Sequence, residues 1–206
     1  MRILRIADIP DNRTTGMTRA MYGSGDALAA AGHQVDYLFM DRIGGIRSPR
    51  VRRFATPLRL PAVLRRMMRE ANAYDIAEVH ETLAAPLLFL RRFQRRMPAV
   101  VLFCHGLAIR AHAADLEYRK LKGLPVSIRN RYSPLAEVFQ AMYAIRRSDH
   151  ILCCNSDDVQ RLVDSGVPSA LISVHQNGVP DAFLRAGADL ADAASTRSGI
   201  LFLGSW

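Results

Sequence analysis

The stretch PAVVLFCHG, residues 98–106, decides the fold, because it is an almost wholly apolar run between a proline and a glycine. The apolar residues from Ala99 to Cys104 predict a β-strand that is buried on both of its faces. Strands of this kind belong to parallel sheets whose two faces are covered by helices. The run therefore favours an α/β fold.

The same kind of pattern recurs along the chain. Further short apolar runs predict strands at residues 2–8, 34–40, 75–79, 151–154 and 170–174. Apolar residues at helical spacing, with capping and stop signals, predict helices at residues 16–31, 60–71, 83–95, 135–147 and from 156 to about 165. Residues 41–57 are rich in Gly, Pro, Ser and Arg and are predicted to be irregular, and residues 108–130 receive no assignment.

This alternation of strands and helices predicts a Rossmann-like, mostly parallel sheet with helices on both faces. Ligands of such sheets bind beyond the carboxyl ends of the strands. The candidate site therefore lies in the loops that follow the strand-end residues Asp8, Val79, Cys104, Cys154 and Val174.

Length and composition predict one well-packed domain and a remainder. The chain has 206 residues, half of them hydrophobic, which is too few for two ordinary domains. Residues 185–198 have the small and acidic composition of a linker. The run ILFL at 200–203 then predicts a strand with nothing after it to cover it. We therefore expect a domain over 1–184, a linker over 185–198 and the first strand of a missing domain over 199–206.

The positive charge of the chain is concentrated in one region. The net charge is +9, and the stretch from Arg42 to Arg69 holds nine arginines and no acidic residue. Such a field favours an anionic neighbour, for example an anionic membrane surface, a phosphorylated acceptor or a nucleic acid. A solvated basic face explains the same pattern equally well.

The apolar runs of the sequence are not expected to form a signal peptide or a membrane span. The first apolar run is broken by Asp8 and Pro10, and the longest one, AAPLLFL, is too short to span a membrane. We therefore expect a cytoplasmic protein, with peripheral contact to the inner face of the membrane through Arg42–Arg69 as an open alternative. The three cysteines lie in strand-like runs, which predicts buried, reduced and inert thiols.

Several classes of chemistry are excluded by motif. The first loop, ADIPDNRTTGMTRA, has a single glycine, so NAD or FAD binding is not expected, and no P-loop motif occurs. No set of residues has the spacing of metal ligands, and RNA-binding signatures are missing. Cys104 and His105 are sequence neighbours whose side chains point to opposite faces, so they do not form a catalytic dyad.

An ordered set of motifs remains: TTGMTRAMYGSGDALAAAGHQVDYL, YDIAEVHE, VVLFCHG, RRSDHILCCNSDDVQRLVDSGV, ISVHQNGVPDAF and ILFLGSW. In this order they resemble the amino-terminal, acceptor-side domain of glycosyltransferase family 4. The resemblance implies one half of a GT-B fold, in which two Rossmann-like domains face each other across a cleft. It also implies a retaining enzyme that uses a nucleotide-diphosphate sugar and needs no metal or other cofactor.

On the donor side, the resemblance assigns roles to three residues. Gly16 and Met17 match the loop that contacts the diphosphate of the donor, although the family usually has two glycines there. Amides at a helix start carry partial positive charge, and a glycine allows an anion to approach closely. His105 matches the catalytic histidine beside the transferred sugar, where it would bond a hydroxyl or steady developing charge.

On the acceptor side, the resemblance implies that His80, Glu81, Arg110 and Asn155 line the cleft. Each has a simpler explanation that stays open. His80 and Glu81 close a strand, Arg110 is of a type that usually faces solvent, and Asn155 is suited to capping the helix that follows it.

The resemblance therefore predicts the acceptor-side domain of a retaining glycosyltransferase, inactive alone because the missing half carries most of the donor site. Its partners would be a nucleotide-sugar donor and a glycan or lipid-linked acceptor, with no nucleic acid. The alternative is a basic α/β module that binds a polyanion or an anionic membrane and performs no chemistry. A sugar-nucleotide epimerase of GT-B fold fits less well, because the last two motifs favour family 4.

Overall fold

The computed structural model describes residues 1–13, 16–44, 49–70, 74–80, 83–93, 97–126, 135–176, 178 and 185. Met1–Gln176 form one compact unit, and Asn177–Trp206 form a second. The strand expected at 199–206 lies outside the described residues, as does the linker expected at 185–198 apart from Arg185.

The compact unit contains a parallel six-stranded sheet. Its strands are β1 Arg2–Ala7, β2 Gln34–Phe39, β3 Ile76–His80, β4 Ala99–Cys104, β5 His150–Cys153 and β6 Ile172–Val174. All six strands predicted for this part of the chain are present, with ends shifted by two residues at most. The predicted α/β Rossmann-like fold class is therefore confirmed.

Seven α-helices occur among the described residues. They are α1 Gly16–Ala30, α2 Met40–Ile43, α3 Pro49–Glu70, α4 Ala84–Arg91, α5 Ala108–Leu121, α6 Leu135–Ile145 and α7 Ser156–Asp164. A short 3-10 turn, Ser169–Leu171, precedes β6. None of these helices is both long and apolar enough to cross a membrane.

The prediction of an irregular segment over residues 41–57 was wrong, because α2 and most of the first half of α3 lie there. Proline suggested a loop, but Pro49 occupies the first helical position, where its missing N–H is not needed. Packing also overrides local propensity in this region, since Ile43 and Thr56 are buried.

Helix α5 occupies much of the segment that received no assignment from the sequence. None of its residues is buried, and Tyr118 and Leu121 are exposed. A helix that buries no face has no apolar stripe, so its sequence lacks the periodicity by which helices are predicted.

The order of strands in the sheet is β2-β1-β3-β4-β5-β6. After β1 the chain moves to one side to form β2 and then to the other side to form β3. The connection therefore reverses direction between β1 and β3, which is the topological switch point of the sheet. In open α/β sheets, ligands bind in the crevice at this point, outside the carboxyl ends of the strands.

Candidate functional site

Two histidines meet at the carboxyl edge of the sheet. His80 is the last residue of β3 and pairs in register with Phe103 of β4. His105 lies two residues after Phe103, just beyond the end of β4. Because side chains alternate along a strand, His80, Phe103 and His105 share one face. His80 Nδ1 lies 2.8 Å from His105 Nε2, so the two rings are hydrogen-bonded to each other.

A third histidine joins them around Phe103, whose ring is buried. The ring centroid of Phe103 lies 5.0 Å from that of His80 and 4.6 Å from that of His105. His175, which follows β6, meets the ring edge-on at 5.0 Å. The backbone N–H of His175 donates to the carbonyl oxygen of Cys153 at 2.7 Å, which holds this residue beside β5. The ends of β3, β4 and β6 thus form one aromatic cluster.

A buried ion pair lies behind His80 on the same face of the sheet. Arg5 of β1 donates to Glu78 Oε1 through Nε at 2.9 Å and through Nη2 at 2.5 Å. Arg5 Nη1 also donates to the carbonyl oxygen of Met21 and, at 2.7 Å, to Ser24 Oγ on α1. Glu78 Oε1 lies 3.6 Å from His80 Nε2. The ion pair and the histidine pair therefore form one continuous row.

The protonation states in this row follow from burial and charge. Burial by itself raises the pKa of Glu78, but the neighbouring His80, 3.6 Å away, and the charge of Arg5 outweigh it, so the pKa of Glu78 is lowered. Burial and the neighbouring His80 lower the pKa of His105 to about 4, although Glu78 opposes this. Glu78 is therefore ionised and His105 is neutral at pH 7.

Cys154 extends the row on the far side of His105. Its Sγ lies 3.9 Å from His105 Nδ1, and its side chain is half-buried just after β5. The prediction that all three cysteines are buried within strands is therefore wrong for Cys154. It is correct for Cys104 and Cys153, which oppose each other in register on the apolar face. The predicted separation of Cys104 from His105 is confirmed, because the two side chains face opposite sides of the sheet.

Gly16 and Met17 begin α1 after the β1 loop, on the carboxyl side of the sheet. Because β1, β3 and β4 are neighbours, this edge is the one that carries His80 and His105. Among the described residues, nothing lies within 4 Å of a Cβ atom placed on Gly16, so there is open space beside this glycine. Contact of Gly16 and Met17 with a diphosphate stays a prediction.

Arg110 and Asn155 are brought together by a buried carboxylate. Asn155 is the N-cap of α7, with Oδ1 accepting from Asp158 N at 2.8 Å and Nδ2 donating to Asp158 Oδ2 at 2.9 Å. Arg110 donates to Asp158 Oδ1 at 2.7 Å. These bonds give both residues a structural role, and their place in an acceptor site stays a prediction. Glu81 lies outside the described residues.

Sequence reasoning missed Arg5, Glu78, Cys154 and His175 as members of the site. A usable signal was present for the first two, because each places a charge inside an apolar run that was predicted to be a buried strand. Among the residues that the structure describes, no group of three or more His, Cys, Asp or Glu side chains has an arrangement that could hold a metal ion.

Comparison with known proteins gives one family. The family model for Glycosyltransferase Family 4 matches residues 14–183. No curated protein sequence matches the chain.

Solved structures resemble the chain only distantly. Anabaena HepE in complex with UDP and glucose has 14% identity and a TM-score of 0.43, with 94% of this chain and 51% of HepE covered. The UDP complex of HepE has 12% identity and a TM-score of 0.45, with 94% of this chain and 50% of HepE covered. LpCGTa in complex with UDP has 9% identity and a TM-score of 0.46, with 90% of this chain and 56% of LpCGTa covered. The chain therefore spans about half the length of these structures.

Proposed function

Because the chain belongs to glycosyltransferase family 4, we propose that it is the acceptor-side domain of a retaining glycosyltransferase. The reaction moves a hexose from a nucleotide-diphosphate sugar to a glycan or a lipid-linked acceptor in the cytoplasm. The observation that carries this proposal is the hydrogen-bonded pair His80–His105 at the carboxyl edge of the sheet, next to the switch point.

His105 is suited to hold the sugar that is transferred. It follows an apolar strand, is half-buried, and is neutral at pH 7 because its pKa is lowered to about 4. A neutral imidazole bonds a sugar hydroxyl without adding a charge to the site. Its role is therefore to position the sugar, and the alternative in which a charged His105 steadies developing negative charge is disfavoured.

The start of α1 is suited to the diphosphate of the donor. Backbone amides of a helix start point at the ligand and carry partial positive charge, and Gly16 leaves open space for an anion to approach them. Met17, where the family usually has a second glycine, would narrow that approach. We propose that the diphosphate is bound without a metal, its charge being met by these amides and by basic residues of a facing domain.

Catalysis on this proposal requires a second Rossmann-like domain. The domain described above contributes the wall of the cleft that carries His80 and His105. The second domain contributes most of the donor site. This chain alone therefore binds a donor weakly and transfers no sugar. Addition of EDTA to an active two-domain form would leave its rate unchanged.

A titration followed by NMR tests this function. UDP-glucose and GDP-mannose would be added separately to the isotopically labelled chain, with heparin as a polyanion. We expect one of the sugar nucleotides to shift the ring signals of His80 and His105 and the amide signals of Gly16 and Met17, in a saturable way. Binding by heparin alone, with these signals unmoved, would instead favour the basic module that performs no chemistry.

A matched pair of histidine variants locates the binding. His105→Ala removes the ring from the proposed site, and we expect a weaker response to the sugar nucleotide. His33→Ala is the control, because His33 lies in the turn just before β2, at the amino edge of the sheet. An equal loss in both variants would show that the effect is not local to the carboxyl edge.

We also propose that the region Arg42–Arg69 contacts an anionic membrane surface. Within it, Arg59, Arg65 and Arg66 are exposed on α3, and no acidic side chain lies in the sequence between them. Sedimentation with phosphatidylglycerol vesicles should recover more of the chain than sedimentation with phosphatidylcholine vesicles, and salt should remove the difference. Equal recovery with both would contradict the membrane contact.

A further inference from the structure

We infer that Arg5 and Glu78 are positioning residues that set the ring tautomers of His80 and His105, so that His105 offers Nδ1 as a hydrogen-bond acceptor. The side chain of Arg5 is only 3% exposed and that of Glu78 only 10%. Glu78 lies next to His80, and Arg5 binds Glu78 on its other side. Only the last step, in which a sugar hydroxyl donates to Nδ1, rests on the proposed function.

The first step concerns Glu78, which can only accept hydrogen bonds while it is ionised. Its Oε1 accepts two bonds from Arg5 and lies 3.6 Å from His80 Nε2. His80 Nε2 is buried and has no hydrogen-bond partner within normal distance among the described residues. A bare lone pair on that nitrogen would face the carboxylate and be repelled by it. Nε2 of His80 therefore carries a proton.

The second step concerns the charge of His80. Arg5 already neutralises Glu78, so a second proton on His80 would bury a net positive charge. Among the described residues, His105 adjoins His80 and His175 adjoins His105, and neither supplies a negative charge to balance it. His80 is therefore neutral, and its Nδ1 is an acceptor.

The third step passes this arrangement to His105. Its Nε2 lies 2.8 Å from His80 Nδ1, which has no proton to give, so His105 Nε2 must be the donor. A neutral imidazole has a single N–H, which leaves Nδ1 of His105 as an acceptor. Cys154 Sγ lies 3.9 Å from that nitrogen and is suited to donate weakly to it.

The consequence is a preference of the site for hydroxyl groups. A hydroxyl donates to Nδ1 more strongly than the thiol of Cys154 does, so it can take the place of the thiol. A phosphate oxygen has no proton to donate and would be repelled by the same lone pair. His105 is thereby set to bind the sugar, and the diphosphate has to bind elsewhere along the edge.

Long-range proton–nitrogen NMR on chain labelled with nitrogen-15 histidine tests the tautomers directly. We expect His80 and His105 both to carry their proton on Nε2 and to have bare Nδ1 atoms at pH 7, without any ligand. A proton on Nδ1 of His105 would overturn the inference, because it would mean that His80 is the donor between the two rings. A doubly protonated His80 would overturn it as well.

Variants then test whether the ion pair is the cause. Glu78→Gln removes the charge that holds the proton on His80 Nε2, and we expect a second tautomer to become populated in both rings. Asp36→Asn is the matched control, because it removes the partner of Arg2 on the neighbouring strand pair, 3.0 Å away. Cys154→Ala should also leave both tautomers as they are, since the order is imposed from the Glu78 side.

Unchanged tautomers in a folded Glu78→Gln variant would show that Glu78 does not act on the rings. If that variant does not fold, the tautomers of the unsubstituted chain still decide the inference. The measurement uses no sugar nucleotide, so a failed titration with UDP-glucose or GDP-mannose would contradict the proposed function and leave the tautomer result standing.

Discussion

The two faces of this sheet are built from the same strands but differ in the charged side chains that they bury. On one face, Leu4, Ile6, Val79 and Leu102 join a single apolar core with the helices that cover it. On the other face the intervening positions include Arg5, Glu78 and His80, all of them buried. The apolar face is held by dispersion and hydrophobic burial, and it tolerates changes that keep its volume. The polar face depends on each partner being present, because a buried charge without one is costly.

The largest effect should come from breaking the buried pair on the polar face. Arg5→Met leaves Glu78 buried without its main partner, and we expect a loss of about 3–5 kcal/mol in the free energy of unfolding. The double variant Arg5→Met with Glu78→Leu should regain most of that loss, because no charge is then left without a partner. Urea unfolding of the three proteins measures this. A double variant as unstable as the single one would contradict the account.

The apolar face is probed by Leu102→Ala, which empties a site on β4 that is 1% exposed. We expect a loss of about 2–5 kcal/mol, from the removed contacts and the cavity that remains. The histidine tautomers should not change, because Leu102 faces away from them. Val101→Ala is the control on the opposite face of the same strand, where the half-buried side chain should give a smaller loss. Equal losses would remove the distinction between the faces.

The seam between α1 and the polar face is probed by Gly25→Ala. A Cβ atom there would lie 1.8 Å from Tyr37 Oη, so the tyrosine has to move. We expect a cost of about 1–3 kcal/mol from overpacking. Tyr37→Phe in the same chain removes the oxygen and should recover part of the cost. Thermal unfolding measures both effects. If Gly25→Ala costs the same with and without Tyr37→Phe, the clash is not with the Tyr37 hydroxyl.

A further effect should be a change in how stability depends on pH. Because the pKa of His105 is lowered to about 4, the folded chain takes up this proton at a lower pH than the unfolded chain does. Stability should therefore fall as the pH decreases from about 6.5 to about 4, and this contribution should be constant below that range. Urea unfolding at several pH values would show a flatter slope for His105→Gln. A slope identical to that of the unsubstituted chain would contradict the lowered pKa.

Prediction from the sequence succeeded where burial leaves a regular pattern. The apolar run Ala99–Cys104 is recovered as β4 without any shift, because a strand buried on both faces has no polar interruption. It gave no assignment for α5, which buries no residue and so leaves no pattern to detect. His80 and His105 were selected through the family resemblance, and their place at strand ends could be read from the sequence. Their direct contact could not be predicted, because the sequence does not show which strands are neighbours in the sheet.

The amino-acid sequence by itself determined the alternation of strands and helices, and hence the edge at which ligands bind, since local periodicity is sufficient for both. Only the tertiary structure decided that β1 lies beside β3, which brings Arg5 to Glu78 across 73 positions of the chain. The same strand order brings His80 to His105 and His105 to Cys154. Such pairings are set by how whole strands pack against one another, and no local pattern of residues records them.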